Sequence, residues 1–234
     1  MSLNSIRDDN GYIPLRVVNE TQMKETKLAA IKDDMISLAK SENVISDHTH
    51  ISVNSNAVSA KDAAGRSIIN YNVGIAYEVE EKFSARDDFK PGCYVTTESK
   101  AAVLMLQIMK KAFEEDFKKY LTDGKQVIVK IKGTADASPI NSPIAYNGQY
   151  GEYKNQTVYK DGQPTKLSLT QEDGIATNEQ LAFARALGVK SWIEQEVPAI
   201  NKMKRNYEYQ IEVSSEKGSK YRRISVEYTF VDAF

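Results

Sequence analysis

The sequence predicts an α+β fold, a two-layer sandwich in which a mixed β-sheet carries helices on one face. Three observations carry that prediction. Ile69, Tyr71, Val73, Ile75, Tyr77 and Val79 alternate with mostly polar or small neighbours, the period-two signature of a strand with one buried face. Residues 97–121 and 177–197 repeat apolar side chains at helical spacing. Alternating runs follow each helix, so the order from residue 66 onward reads β-α-β-α-β-β.

The elements follow in order. Residues 1–19 have no period and read as irregular. A helix is expected over about 21–41, with Leu28, Ile31, Met35 and Leu38 on one face. It reads as a helix packed on the domain or as the end of a coiled-coil stalk. About two heptads are present, fewer than a coiled coil needs. Ile51-Ser52-Val53 and Ala57-Val58 make a weak strand, and residues 82–96 read as a loop around Pro91-Gly92. Thr97 reads as the cap of a helix that runs to Leu121, stopped by Asp123-Gly124. Val127, Val129 and Ile131 form a core strand ending at Gly133.

Residues 137–176 change character, with Pro139, Pro143 and Pro164 and four tyrosines among Asn and Gln. Lys160-Asp161-Gly162-Gln163 carries the Asp-Gly signature of a hairpin. A connection this long is normally either functional or loosely ordered. Thr177-Asn178-Glu179-Gln180 fits a capping box, and Pro198 closes the helix it starts. Tyr207–Val213 and Ile224–Phe230 are the closing strands. The expected organisation is an N-terminal extension over 1–60, then a domain over 61–234 interrupted by the insertion 137–176.

Hydrophobic content of 41% and charged content of 27% describe a globular chain with a core. A formal net charge of -1 supplies no global field for nucleic acid or anionic lipid. No run approaches the roughly 18 apolar residues of a membrane span. The single cysteine, Cys93, excludes an internal disulfide. No signal peptide is visible. Met1-Ser2-Leu3 reads as a cloning remnant, and the expectation is that a signal, lipid anchor or membrane helix precedes it in the full-length protein.

Two segments stand out chemically. Asp136 follows a strand end, where α/β proteins place ligand groups. It reads either as a ligand carboxylate or as a turn or cap residue. Arg185 sits four residues after Leu181 on an apolar helix face. It reads as a structural ion pair, as a surface-lying stem, or as a bidentate clamp for a carboxylate. Arg222 and Arg223 are adjacent at a strand start, so at most one faces a given site. His48 and His50 lack further ligands, and no metal site is expected. No phosphate loop, nucleophile elbow or paired glycosidase carboxylates is apparent, so neither catalysis nor a cofactor is expected.

Gly133-Thr134-Ala135-Asp136 resembles the Gly-His-Thr-Asp that ends a core strand in OmpA-like peptidoglycan-binding domains. Asn178-x-x-Leu181-x-x-x-Arg185-Ala186-x-x-Val189 is similar to that family's Asn-x-x-Leu-Ser-x-x-Arg-Ala-x-x-Val helix. Gly218-x-x-Tyr221-Arg222-Arg223-Ile224 resembles its closing Gly-Arg-x-x-Asn-Arg-Arg-Val. The resemblance covers residues 66–234. It implies a non-enzymatic domain facing the periplasm, tied to the cell envelope and outer membrane, that holds the diaminopimelate of a peptidoglycan stem peptide. Asp136 would take the ammonium and Arg185 the carboxylate, with Asn178, Thr134, Leu181, Arg222 and Arg223 completing the motif positions. Departures are Thr134 and Ala135 for the family's His and Thr, Ala182 for its Ser, Tyr221 for its Asn, and the long insertion. The other expectation is a protein-interaction or assembly module of the envelope, with the insertion as its partner surface.

Overall fold

A computed structural model describes residues 15–118 and 125–232. They form an α+β fold of four α-helices and one seven-stranded mixed sheet. The helices are α1 (Leu15–Ser41), α2 (Glu81–Asp87), α3 (Lys100–Ala112) and α4 (Asn178–Glu196). The strands are β1 (Thr49–Lys61), β2 (Ser67–Val79), β3 (Gln126–Ala135), β4 (Tyr153–Lys160), β5 (Gln163–Leu169), β6 (Lys204–Val213) and β7 (Ile224–Val231). Their order across the sheet is β1-β2-β7-β3-β6-β4-β5. β3 runs parallel to β6 and antiparallel to β7.

The register explains the core. Val73 pairs with Tyr228, which pairs with Val129, which pairs with Tyr207; one step along, Ile75, Val226, Ile131 and Tyr209 align the same way. These rows face α3 and α4, and Val127, Val129 and Ile131 have no exposed surface. Each such side chain contributes about 1.5–3 kcal/mol by leaving water. The opposite face carries Lys130 paired with Glu227 at 3.0 Å and Lys132 paired with Glu212, and is open. This arrangement is compatible with a two-layer sandwich.

Several elements depart from the sequence expectation. β1 is one 13-residue strand paired to β2 along its whole length, so the sheet begins before residue 60. Polar Asn54, Ser55 and Asn56 dilute its apolar signal, and its partner strand supplies the order. Glu81–Asp87 is helical rather than loop. The cap of α3 is Ser99, whose hydroxyl accepts from the Ala102 amide at 3.1 Å, after a 3-10 turn at Thr96–Glu98. That helix passes into a π-turn at Phe113–Phe117, and its expected end at Leu121 and Asp123-Gly124 lies outside the described residues. In α1, Leu38 is exposed and Ala39 takes its place in the core.

β3 continues past Gly133 to Ala135, which pairs with Val213. Gly133 is instead where α4 meets the sheet. A Cβ there would run into the Ala182 carbonyl and lie 3.2 Å from the Ala186 amide. The helix backbone therefore rests almost directly on the strand.

The insertion is ordered. Asp161 and Gly162 take positive φ values of 50° and 75°, the left-handed pair a two-residue hairpin turn requires. The resulting β4–β5 hairpin adds to the sheet beside β6, burying Val158 and Leu169 completely. Ile144 and Ile175 exchange backbone hydrogen bonds at 2.9 Å and close the base of the insertion. Together with the 92–96 segment it covers the outer side of α4, so residues 181–189 are buried all round rather than along one stripe.

Candidate functional site

Sequence dictates where the two charged residues stand. The capping box starts α4: the Gln180 amide donates to the Thr177 hydroxyl at 3.2 Å, and Gln180 Oε1 accepts from the Thr177 amide at 3.1 Å. That fixes Arg185 two turns in, beside the end of β3. Gly133 allows the close approach, and Asp136 follows the last strand residue.

Asp136 is 2% exposed. Its Oδ2 accepts from Arg222 Nη1 at 2.9 Å, Ser138 Oγ at 2.7 Å and the Gly218 amide at 3.0 Å. Burial pushes its pKa up, but the Gly218, Ser138 and Arg222 donors together hold it below the ordinary carboxylate value. All three bonds meet one oxygen, which leaves Oδ1 for another donor.

Arg185 has no exposed surface. Its Nε donates to the Cys93 carbonyl at 3.0 Å and Nη1 to the Thr134 carbonyl at 2.5 Å. The guanidinium lies 4.9 Å from the centre of the Phe89 ring. Nη2 has no hydrogen-bond partner among the described residues. Burial pulls its pKa down to about 10, with Arg222 adding to that pull and Tyr77, Asp88 and Asp136 opposing it. The group stays charged at neutral pH, held by carbonyl dipoles and an aromatic face.

The remaining motif residues gather around this pair. Thr134 Oγ1 donates to the Tyr221 carbonyl at 2.7 Å and accepts from the Arg223 amide at 2.8 Å, tying β3 to the start of β7. Asn178 Nδ2 donates to the Ser138 carbonyl at 3.1 Å, holding the turn after Asp136. Leu181 is core. The neighbouring arginines diverge as alternation requires: Arg222 reaches Asp136, while Arg223 reaches Asp88 Oδ2 at 3.4 Å and the Val79 carbonyl at 3.1 Å.

Sequence reasoning missed the segment that joins these groups, Asp88-Phe89. Arg222 Nε donates to the Phe89 carbonyl at 2.7 Å, Arg223 pairs with the Asp88 carboxylate, and Arg185 stacks on the Phe89 ring. Asp88 also accepts from Tyr77 and from the Phe89 amide, both at 2.9 Å. Burial pushes its pKa up to about 6 against those donors. Asp-Asp-Phe before a Pro-Gly turn has no period or motif that would mark it in sequence.

The cluster thus brings three guanidinium groups to two buried carboxylates, Asp88 and Asp136. Glu78 also lies 3.9 Å from Arg223, and Nη2 of Arg185 has no hydrogen-bond partner among the described residues. The 88–96 segment covers Arg185, and the insertion holds it from outside. Tyr94 donates to the Ala145 carbonyl at 3.3 Å, and its ring packs near Tyr146 and Tyr150 at 5.9 and 6.2 Å. Cys93 contributes its carbonyl; burial pushes its thiol up to about 11, which makes it a poor nucleophile. His48 and His50 flank Glu80, the nearer contact 3.1 Å.

The chain matches no protein-family model, no curated protein and no solved structure.

Proposed function

We propose that the chain is a non-enzymatic domain of OmpA-like ancestry, resident in the cell envelope and facing the periplasm, that binds peptidoglycan through the diaminopimelate of its stem peptide. One observation carries this reading: Asp136 and Arg185, gathered by separate elements, each keep one bonding position unused, Oδ1 on the acid and Nη2 on the arginine. Diaminopimelate offers an ammonium and a carboxylate on one carbon, which fits an acid and a cation gathered at the end of β3, where Arg185 bonds the Thr134 carbonyl two residues before Asp136. The ligand carboxylate would also give Nη2 of Arg185 an acceptor. Each charge-assisted contact is worth about 1.5–3 kcal/mol, enough for noncovalent anchoring.

Because Arg185 is fully covered, binding requires the 88–96 segment to lift. The free state is therefore closed, and affinity is reduced by the fraction of molecules that are open.

Co-sedimentation with purified sacculi tests the reading. Wild type pellets with the sacculi, whereas Asp136→Asn and Arg185→Lys, both checked for folding by thermal melts, stay in solution. Wild type left in the supernatant, or variants that pellet as well as wild type, would sink the proposal.

A second reading is favoured by the closure itself: a buried, self-paired cluster suits a scaffold whose insertion docks an envelope protein. Deleting residues 140–170 would remove Val158 and Leu169 from the core, so surface substitution discriminates better. Tyr159 is exposed on the hairpin, and Tyr159→Asp abolishes partner capture under this reading while leaving sacculus binding intact.

A further inference from the structure

The chain has two histidines, His48 and His50, and they stand two apart at the start of β1. Thr49 between them is buried, so by strand alternation both imidazoles lie on the same, outer face. Their sequence neighbours offer no convincing third ligand; the sheet supplies one. His50 pairs with Glu78 in the β1–β2 register, and the Glu80 amide donates to the His48 carbonyl at 3.0 Å, carrying the ladder one pair further. Two imidazoles thus stand opposite two carboxylates.

Three of these groups converge. Glu80 Oε2 lies 3.1 Å from His48 Nδ1, and Glu80 Oε1 lies 3.8 Å from His50 Nε2. Two ligand atoms on one tetrahedral zinc ion stand about 3.4 Å apart, given bonds of about 2.0–2.1 Å. The two separations bracket that value. The His48 ring is stacked on Phe83 with centroids 3.7 Å apart and planes parallel, which fixes the direction of Nδ1. Glu80 stands at the N-cap position of α2, yet its side chain caps no helix amide. Its carboxylate is turned to the imidazoles instead.

We propose that His48, His50 and Glu80 bind a borderline divalent transition-metal ion, of which zinc is the type, with a water as fourth ligand. The protein donors are His48 Nδ1, His50 Nε2 and one Glu80 oxygen. Imidazole nitrogen selects such ions over magnesium and calcium, which take oxygen ligands. Glu78, opposite His50, adds the second negative charge that balances a divalent ion. Among the described residues no three ligands already enclose an ion. The imidazoles and Glu80 contact one another instead, and the Glu80 side chain, 47% exposed, turns to admit the ion between them. The ion then ties the start of β1 to the head of α2. The inference does not depend on the ligand of the Asp136 cluster.

Calorimetric titration of the chelator-stripped 234-residue chain with Zn(II) tests it. One ion binds per chain. His50→Gln and Glu80→Gln each weaken binding by at least about 100-fold, the upper end of what losing an outer-shell partner costs. Cys93→Ser leaves it unchanged. Nitrogen-15 NMR of the two imidazoles reads the same event in the unsubstituted chain: Zn(II) locks His48 with its proton on Nε2 and His50 with its proton on Nδ1. Absent binding, binding that survives either ligand substitution or is lost in Cys93→Ser, or imidazole nitrogens that stay fixed as zinc is added overturns the inference.

Discussion

Arg222 and Asp136 form a buried ion pair, Nη1 to Oδ2 at 2.9 Å, with side chains 7% and 3% exposed. The same guanidinium donates from Nε to the Phe89 carbonyl at 2.7 Å. One side chain therefore ties the end of β3 to the segment after α2. Removing one partner of such a pair leaves an uncompensated buried charge, which costs about 3–5 kcal/mol. Asp136 retains its Gly218 and Ser138 donors, so the lower end, about 3 kcal/mol, is expected for Arg222→Met. Urea unfolding measures it, and an unchanged midpoint contradicts a structural role for the pair.

Asp88 predicts an unusual pH dependence. Burial raises its carboxyl from 3.8 to about 6 in the folded chain. Between those values the folded protein binds more protons than the unfolded one, so stability falls as pH rises through that window. The contribution is complete below about 4 and gone above about 6, with an upper size of about 3 kcal/mol at about 1.4 kcal/mol per unit. Asp136 and Asp87 act the other way: their pKa values are lowered, and their contribution is lost as pH falls through the acidic range. Asp88→Asn removes the proton uptake, so its urea midpoint is flat where that of wild type declines. Parallel profiles for the two proteins contradict the account.

Phe89 covers the Arg185 guanidinium, and truncating it separates stability from binding. Phe89→Ala costs about 3–5 kcal/mol of stability as a large-to-small core change. It also favours the open form of the 88–96 segment, so sacculus binding by the folded fraction becomes tighter. Weaker binding by that fraction places Phe89 in the ligand contact rather than over it.

Periodicity made most of the sheet legible. β2, β3, β6 and β7 alternate because one face is buried against helices and the other bears the Lys130–Glu227 and Lys132–Glu212 pairs. The α4 start was legible because Thr177 and Gln180 cap each other locally, and the β4–β5 turn because Asp161-Gly162 alone suits its backbone. β1 was nearly hidden, since Asn54, Ser55 and Asn56 have weak strand preference and only pairing with β2 fixes them. The site was half legible. Asp136, Arg185 and Arg222 sit in recognisable motifs, but Asp88, Phe89 and the Cys93 carbonyl join them through long-range packing that leaves no local pattern. The all-round burial of α4 was likewise hidden, because it depends on where the insertion folds back.

The central claim is that Arg185 takes a ligand carboxylate at Nη2 once the 88–96 segment opens. The most direct measurement is the side-chain Nε–H NMR resonance of Arg185, assigned with Arg185→Lys, during titration with a diaminopimelate-containing stem peptide. A saturable shift is expected, absent with the lysine-containing peptide that lacks the second carboxylate and absent in Asp136→Asn. A resonance that stays fixed while the peptide is raised to saturating concentration, or that moves equally with both peptides, contradicts the claim.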